Sequence, residues 1–381
     1  MDMPDGRHRG HHPAAGTMWP GTITTDTMPP PNHHAPPRPG PRHGRGRVSG
    51  SPGLAALVAL ALLAGCHRAP APTVVVYTSV DQVYSEPILR DFAARTGIRV
   101  LPVFDVEAAK TVGLVQRIIA ESGRPRADVF WNSEFSQTLL LAGMGLLAPH
   151  RPEAAEDVPA HLKSPAGLWT AVGCRVRVLL VNTRSVPEEA VPRSVEELLT
   201  AEPSRVGFAN PLFGTTATHA AALFALWGPR EAVRFFRALQ IRGVHMADGN
   251  AGVRDLVVAG RLDWGLTDSD DACRAVEGGS PVRIILPDQE GAGTLLIPGT
   301  VAVIAGAPHP AAARELADYL VSAGTERRLI ATGCVQLSVR PGGGRAACLG
   351  DTPVRTMDLD LEAIHRHLED SRRALVEIFN R

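Results

Sequence analysis

The sequence predicts an α/β fold with a mostly parallel sheet, laid out as two successive strand–helix sets. Two observations carry this. From Thr73 onward, short β-branched runs alternate with stretches of helical apolar spacing, the pattern of parallel strands joined by crossover helices. The strands themselves are apolar throughout, as in TVVVYT (Thr73–Thr78), which suits a sheet covered on both faces.

Taken in order, Thr73–Thr78 is the first predicted strand. Pro87 opens a helical pattern with Ile88, Leu89, Phe92 and Ala93 on one face, and Gly97 ends it. Ile98–Phe104 is the next strand, Ala108–Ala120 a helix and Asp128–Trp131 a third strand. A helix near Gln137–Ala142 and a Pro-rich loop follow. The second set begins with the strand Val176–Val181. It continues with a helix starting at Ser194–Leu199, the strand Val206–Ala209, the loop Asn210–Thr216 and helices at Thr218–Trp227, Pro229–Leu239 and Ala251–Ala259. Leu262–Leu266, Ile284–Leu286 and Thr300–Ile304 are strands; Pro310–Val321, Thr325–Ala331 and Leu359–Phe379 are helices.

The 381 residues suffice for two domains, and a net charge of +0 gives no basic surface for nucleic acid. Residues 1–50 carry His11-His12, His33-His34 and Pro29-Pro30-Pro31 with few aliphatic side chains. They read as a disordered leader, with a start near Val48 as an alternative beginning of the chain. Within residues 51–65, the apolar run Leu54–Gly65 is 12 residues long, short of the ~20 needed to span a bilayer. Arg42, Arg45 and Arg47 precede it and Cys66 follows, the layout of a secretory signal peptide. Leu63-Ala64-Gly65-Cys66 resembles a bacterial lipobox, so Cys66 is the expected lipidation site, with residues 66–72 as the linker from a membrane anchor. Cys174, Cys273, Cys334 and Cys348 allow three pairings; Cys334 and Cys348 flank a Gly-rich turn, which makes a local loop between them one of these.

Several stretches carry a resemblance. VVVYTSVDQ (Val74–Gln82), EPIL (Glu86–Leu89), FAARTGIRV (Phe92–Val100), EAAKTVGLVQRIIAE (Glu107–Glu121) and RADVFWNSE (Arg126–Glu134) resemble type II periplasmic substrate-binding proteins of the ferric-ion-binding group. So do ANPLFGTTATHAAALF (Ala209–Phe224) and AVIAGAPHPAAARELADYLVS (Ala302–Ser322). The resemblance implies two α/β lobes with a ligand cleft between them and hinge strands near Gly173–Val181 and Pro298–Ile304. Lobe 1 would be discontinuous (73–173 and 299–381) and lobe 2 would cover 174–298. It also implies a substrate-binding component of an ABC importer, exported and acting as a monomer with permease and ATPase partners.

Three loops should face the cleft, because each follows a strand. They offer Asp81, then Glu134, then Asp268, Asp270 and Asp271. Gathered carboxylates repel one another unless a cation or shared protons compensate, and hard cations prefer oxygen ligands. In the ferric-binding group the first loop carries a His, the second a Glu and the third a tyrosine pair. Asp81 falls at the His position and Glu134 at the Glu position, while Asp268 to Asp270 replace the tyrosines. The expected metal ligands are Asp81, Glu134, Asp268 and Asp270, holding Fe³⁺ or a divalent cation. The third loop also reads as a solvated acidic turn or helix cap. Tyr77, Ser79, Asn132, Thr215, Thr216, Ser269 and Asp271 are the expected remaining cleft residues. For Tyr77 and Ser79 strand-end packing is the competing reading, and for Phe213–Thr216 an anion-binding turn competes with a plain loop. Trp131 and Trp264 read as packing residues. A small organic ligand, polyamine or phosphonate, is the alternative cargo, and sensing through a membrane receptor the alternative role. The sequence has no GxSxG, HExxH, P-loop or GxGxxG pattern, so catalysis is not expected.

Overall fold

The computed structural model describes residues 71–105, 112–351 and 353–380. The predicted leader, signal stretch and Cys66, and the start of the helix predicted from Ala108, lie outside them. Among the described residues no helix is long and apolar enough to cross a membrane.

Lobe 1 opens with β1 (Thr73–Thr78), α1 (Gln82–Thr96) and β2 (Arg99–Phe104), followed by α2 (Val112–Ala120), β3 (Val129–Asn132), α3 (Ser136–Gly143) and the two-residue β4 (Leu147–Ala148). β1 pairs parallel with β2 and β3. α1 ends at Gly97, whose φ of 73° is the left-handed stop that glycine supplies without a Cβ penalty.

The chain then enters β5 (Thr170–Asn182), 13 residues with all but one buried. Lobe 2 follows with β6 (Val206–Ala209), α4 (Gly214–Trp227), α5 (Pro229–Arg242), β7 (His245–Ala247), α6 (Asn250–Val258), β8 (Trp264–Asp268), α7 (Ser269–Glu277) and β9 (Val282–Ile285). β10 (Leu296–Ile304) returns to lobe 1, where α8 (Pro310–Leu320) and α9 (Ala323–Ala331) lie; α10 (Leu361–Arg366) and α11 (Leu368–Phe379) close the described chain.

The strand order β2-β1-β3-β10-β5-β8-β6-β7 makes β5 and β10 the central antiparallel pair that serves both lobes. The first part of β5 pairs with β10, and its Arg177–Asn182 half pairs with β8 and β9. The register slips between Pro298 and Gly299, beside Gly173. Gly173 has φ of 61°, and a Cβ there would lie 2.6 Å from Val335 Cγ2, so the crossing demands glycine on both counts.

Each lobe has its own apolar core. One cluster joins Val76, Phe92, Phe130 and Trp131 to Val303 and Leu316, while others gather Leu179, Phe208, Phe224 and Phe236, and Val178, Val253 and Val257. Three expectations change here. The long helix predicted from Leu359 is two helices, and Leu375 and Ile378 of α11 lie in the lobe 2 core, so the end of the chain does not stay with lobe 1. The segment from Ser194 forms only a 3-10 turn at Val195–Leu199. The disulfide joins Cys273 to Cys348 rather than closing the Gly-rich turn.

Candidate functional site

A small cavity lies between the lobes at the carboxyl ends of β1, β3 and β8. Its volume is about 60 Å³, room for about two water molecules or a compact ion. Lobe 1 contributes Ser79, Asp81, Tyr84, Asn132 and Ser133; the hinge and lobe 2 contribute Arg175, Asp270 and Arg274; Cys334 completes the wall.

Apart from Asp81, the lobe 1 wall is a neutral hydrogen-bond mesh. Ser79 Oγ donates to Asn132 Oδ1 at 2.6 Å and accepts from Ser133 N at 2.9 Å. Asn132 Nδ2 donates to Thr138, whose hydroxyl meets that of Thr300 at 2.7 Å. Ser79, Asn132, Thr138 and Thr300 are buried and paired, so they hold a fixed surface toward the cavity.

The other wall is built on charge. Arg177 on β5 and Asp268 on β8 are direct cross-strand partners, and both are fully buried. Arg177 Nη1 donates to Asp268 Oδ1 at 2.6 Å; the other carboxylate oxygen accepts from Thr215 Oγ1 at 2.6 Å, Asn250 Nδ2 at 3.1 Å and Arg175 Nη1 at 3.3 Å. The starts of α4, α6 and α7 thus converge on one carboxylate. Burial opposes its charge, but the two arginines and Thr215 win and hold its pKa below the usual carboxylate value. His219 stacks behind this ion pair, accepting from Arg177 Nε at 3.4 Å; burial and the nearby guanidinium push its pKa down to about 3.

Asp270 stands differently. Its nearest cation among the described residues is Arg175 at 3.9 Å, and its buried Oδ1 has no hydrogen-bond partner among them. Burial, reinforced by Asp268, raises its pKa. Arg274 reaches across the cleft to donate to Tyr84 OH at 3.3 Å, and Arg175 Nη2 donates to Ser133 O at 3.1 Å, so two guanidinium groups tie the walls together.

Of the residues expected in the cleft, Ser79, Asp81, Asn132 and Asp270 line the cavity, and Trp131, read as a packing residue, lines it too. The others are placed elsewhere. Glu134 turns back on its own helix: its oxygens accept from Ser136 N (2.7 Å), Ser136 Oγ (2.6 Å) and Gln137 N (3.1 Å), which satisfies the open amides at the start of α3. Asp268 is consumed by the arginines. Asp271 pairs with Arg254 at 2.9 Å, and burial with the neighbouring acids pushes it up to about 6. Ser269 Oγ accepts from Val176 N and donates to Gln336. Thr215 and Thr216 sit in the first turn of α4, not in a loop, with Thr215 spent on Asp268 and Thr216 reaching Asn250 at 3.4 Å. Tyr77 points away from the cleft, donating to Glu121 at 3.0 Å beneath Arg117. Among the described residues no group of three or more His, Cys, Asp or Glu side chains is close enough to hold a metal ion.

Sequence reasoning passed over Arg175, Arg177, Asn250 and Arg274. A signal existed: GCRVRVLLV places two arginines in an apolar strand, and a buried arginine needs a carboxylate partner. The acidic Thr267–Asp271 stretch supplies it.

A family model for bacterial extracellular solute-binding proteins matches residues 72–334. Iron uptake protein A1 of a Synechocystis species is 26% identical over 261 residues, 65% of this chain and 69% of that protein. The major ferric iron-binding protein of Neisseria meningitidis serogroup A is 26% identical over 215 residues, 54% of this chain and 62% of that one. In structure, IdiA (FutA) of Trichodesmium, in complex with iron and citrate, superposes with a TM-score of 0.71 at 20% identity, covering 81% of this chain and 99% of the other. The periplasmic binding protein AfuA of Actinobacillus pleuropneumoniae, with fructose-6-phosphate bound, gives 0.68 at 19%, covering 82% and 99%. At such identities the structural likeness speaks for the fold, which is the two-lobed type II periplasmic-binding fold.

Proposed function

We propose, from the premise that this chain belongs to the bacterial extracellular solute-binding protein family, that it captures a hard metal ion together with a small oxyanion in the interlobe cavity and delivers them to an ABC importer. The observation that carries this reading is Asp270 Oδ1, a buried carboxylate oxygen with no donor among the described residues, in the wall of a cavity that also holds Asp81, Arg175 and Arg274. A hard cation satisfies such an oxygen. The protein supplies too few carboxylates to enclose the ion alone, and two guanidinium groups in the same wall suit an accompanying anion that brings further oxygen ligands. The iron-binding relatives support the same cargo class.

The permease and ATPase of such an importer are the expected partners, export the expected route, and Cys66 the expected lipid anchor. A second reading, a small organic phosphate, has the AfuA likeness and the same arginines in its favour. The 60 Å³ cavity is too small for a sugar phosphate unless the lobes part.

The test is thermal melting, since a ligand stabilises the fold in proportion to its binding free energy. Ferric nitrilotriacetate with phosphate should raise Tm, and Asp270→Asn should abolish the rise. A rise with fructose-6-phosphate alone, lost in Arg274→Gln and kept in Asp270→Asn, would replace the metal by the organic phosphate. Flat melting curves with Fe³⁺, Mn²⁺ and Ca²⁺ would sink the metal reading.

A further inference from the structure

A second pocket lies on lobe 2, away from the interlobe cavity and sharing no lining residue with it. It opens between the end of α4, the end of β9 and the 287–293 loop that leads into β10. Its volume is about 550 Å³, within the range of small-molecule sites. The floor is apolar, from Leu223, Leu226, Trp227 and Ile285.

Its charged groups are mostly acidic. Glu188, Glu196, Asp288 and Glu290 line it against a single cation, Arg193. Glu188 is already taken by Arg283. Asp288 has no ion pair among the described residues; Val195 N approaches its Oδ1 at 3.4 Å, a weak contact. The residue is fixed in place all the same. Its N–H donates to Arg193 O at 2.7 Å, and its carbonyl accepts from Gly291 and Gly293 at 2.9 and 2.8 Å. Its φ of 60° makes it the one non-glycine residue with positive φ among those described. Burial, then Glu196 and Glu197, push its carboxyl up to about 6, as expected of an acid short of a positive partner.

We propose that this pocket is a second binding site, for a small organic ammonium ion with an apolar body. An anion is repelled by the acidic rim. A neutral hydrocarbon would fill the floor and leave Asp288 desolvated and unpaired, which costs free energy. An ammonium group on an apolar body meets both demands, and Trp227 adds an aromatic ring to which a cation is attracted. The site is independent of the cargo in the interlobe cavity.

The experiment is isothermal titration of the full-length protein with 2-phenylethylammonium chloride, 3-phenylpropionate serving as the matched anion. Wild type should bind the ammonium probe one to one and ignore the anion. Asp288→Asn should weaken binding at least tenfold, and asparagine tolerates the left-handed backbone, so the fold survives the change. Leu226→Trp, filling the floor, should abolish binding, and Arg274→Gln in the interlobe cavity should leave it unchanged. Wild type that fails to bind at millimolar probe, unchanged affinity in Asp288→Asn, or loss in Arg274→Gln would each overturn the proposal.

Discussion

The two walls of the interlobe cavity solve the same problem by opposite means. Beside the single carboxylate of Asp81, lobe 1 presents Ser79, Asn132 and Ser133, neutral groups already bonded to one another. The facing wall presents Arg175, Asp270 and Arg274, backed by the fully buried Arg177–Asp268 pair, so that charges are buried and balanced against each other. Neutral groups cost little to bury once bonded, so the lobe 1 wall is a modest, local feature. Buried charges are costly unless every partner stays in place, so the other wall concentrates large energies in a few contacts. The difference teaches where the molecule is sensitive: a single change should be mild on one side of the cavity and severe on the other.

The strongest way to break the contrast is Arg177→Met. It strands Asp268 without its closest partner in a fully buried setting, and breaking such a pair costs about 3–5 kcal/mol. Urea unfolding checks it; a loss under about 1 kcal/mol would mean the pair behaves like a surface contact and the contrast is false.

The next effect is in pH. The His219 pKa of about 3 lies below its ordinary 6.5, so on acidification the unfolded chain takes up the proton first and the folded state loses stability progressively below pH 6.5. Between pH 7.5 and pH 5 the loss from this one ring is about 2 kcal/mol. Asp271 runs the other way. Its pKa of about 6 lies above the ordinary 3.8, so it favours the fold as pH falls through 6. The difference between wild type and His219→Gln, measured by urea unfolding at both pH values, isolates the histidine. Parallel profiles for the two proteins would show that His219 is not held neutral behind the ion pair.

Ser79→Ala is the smallest step and sharpens the other half of the comparison. It removes one hydroxyl from the neutral mesh, and about 1 kcal/mol of stability should go with it. In differential scanning calorimetry that is a fall of about 2–4 °C for a domain of 150–250 residues. A fall as large as that of Arg177→Met would erase the distinction between the walls.

How far the sequence carries follows the same division. Elements marked by apolar period and glycine stops were legible: β1, the end of α1 at Gly97 and α8 from Pro310 lie at or close to their expected places. Strand ends were less so, because β5 and β10 extend beyond their apolar runs to serve both lobes. In the site, residues whose position follows from being at a strand end, such as Ser79, Asp81 and Asn132, line the cavity. Residues whose role depends on a partner far along the chain were not legible. Nothing local to Asp268 says that Arg177, 91 positions earlier, will neutralise it. Nothing local to Glu134 separates a metal ligand from a group that bonds its own helix start, since both uses need the same carboxylate after the same strand.

The bridge between Cys273 and Cys348 closes a ring of chain 75 residues in separation. That ring leaves lobe 2 through β9, crosses on β10, runs through α8 and α9, and comes back past Val335, which packs against the crossing at Gly173. Inside a reducing cytoplasm the ring stays open, and by chain entropy the fold forgoes about 4 kcal/mol. Oxidation outside that compartment restores it. Where this chain reaches full stability is thereby written into one covalent bond, which closes only in an oxidising compartment.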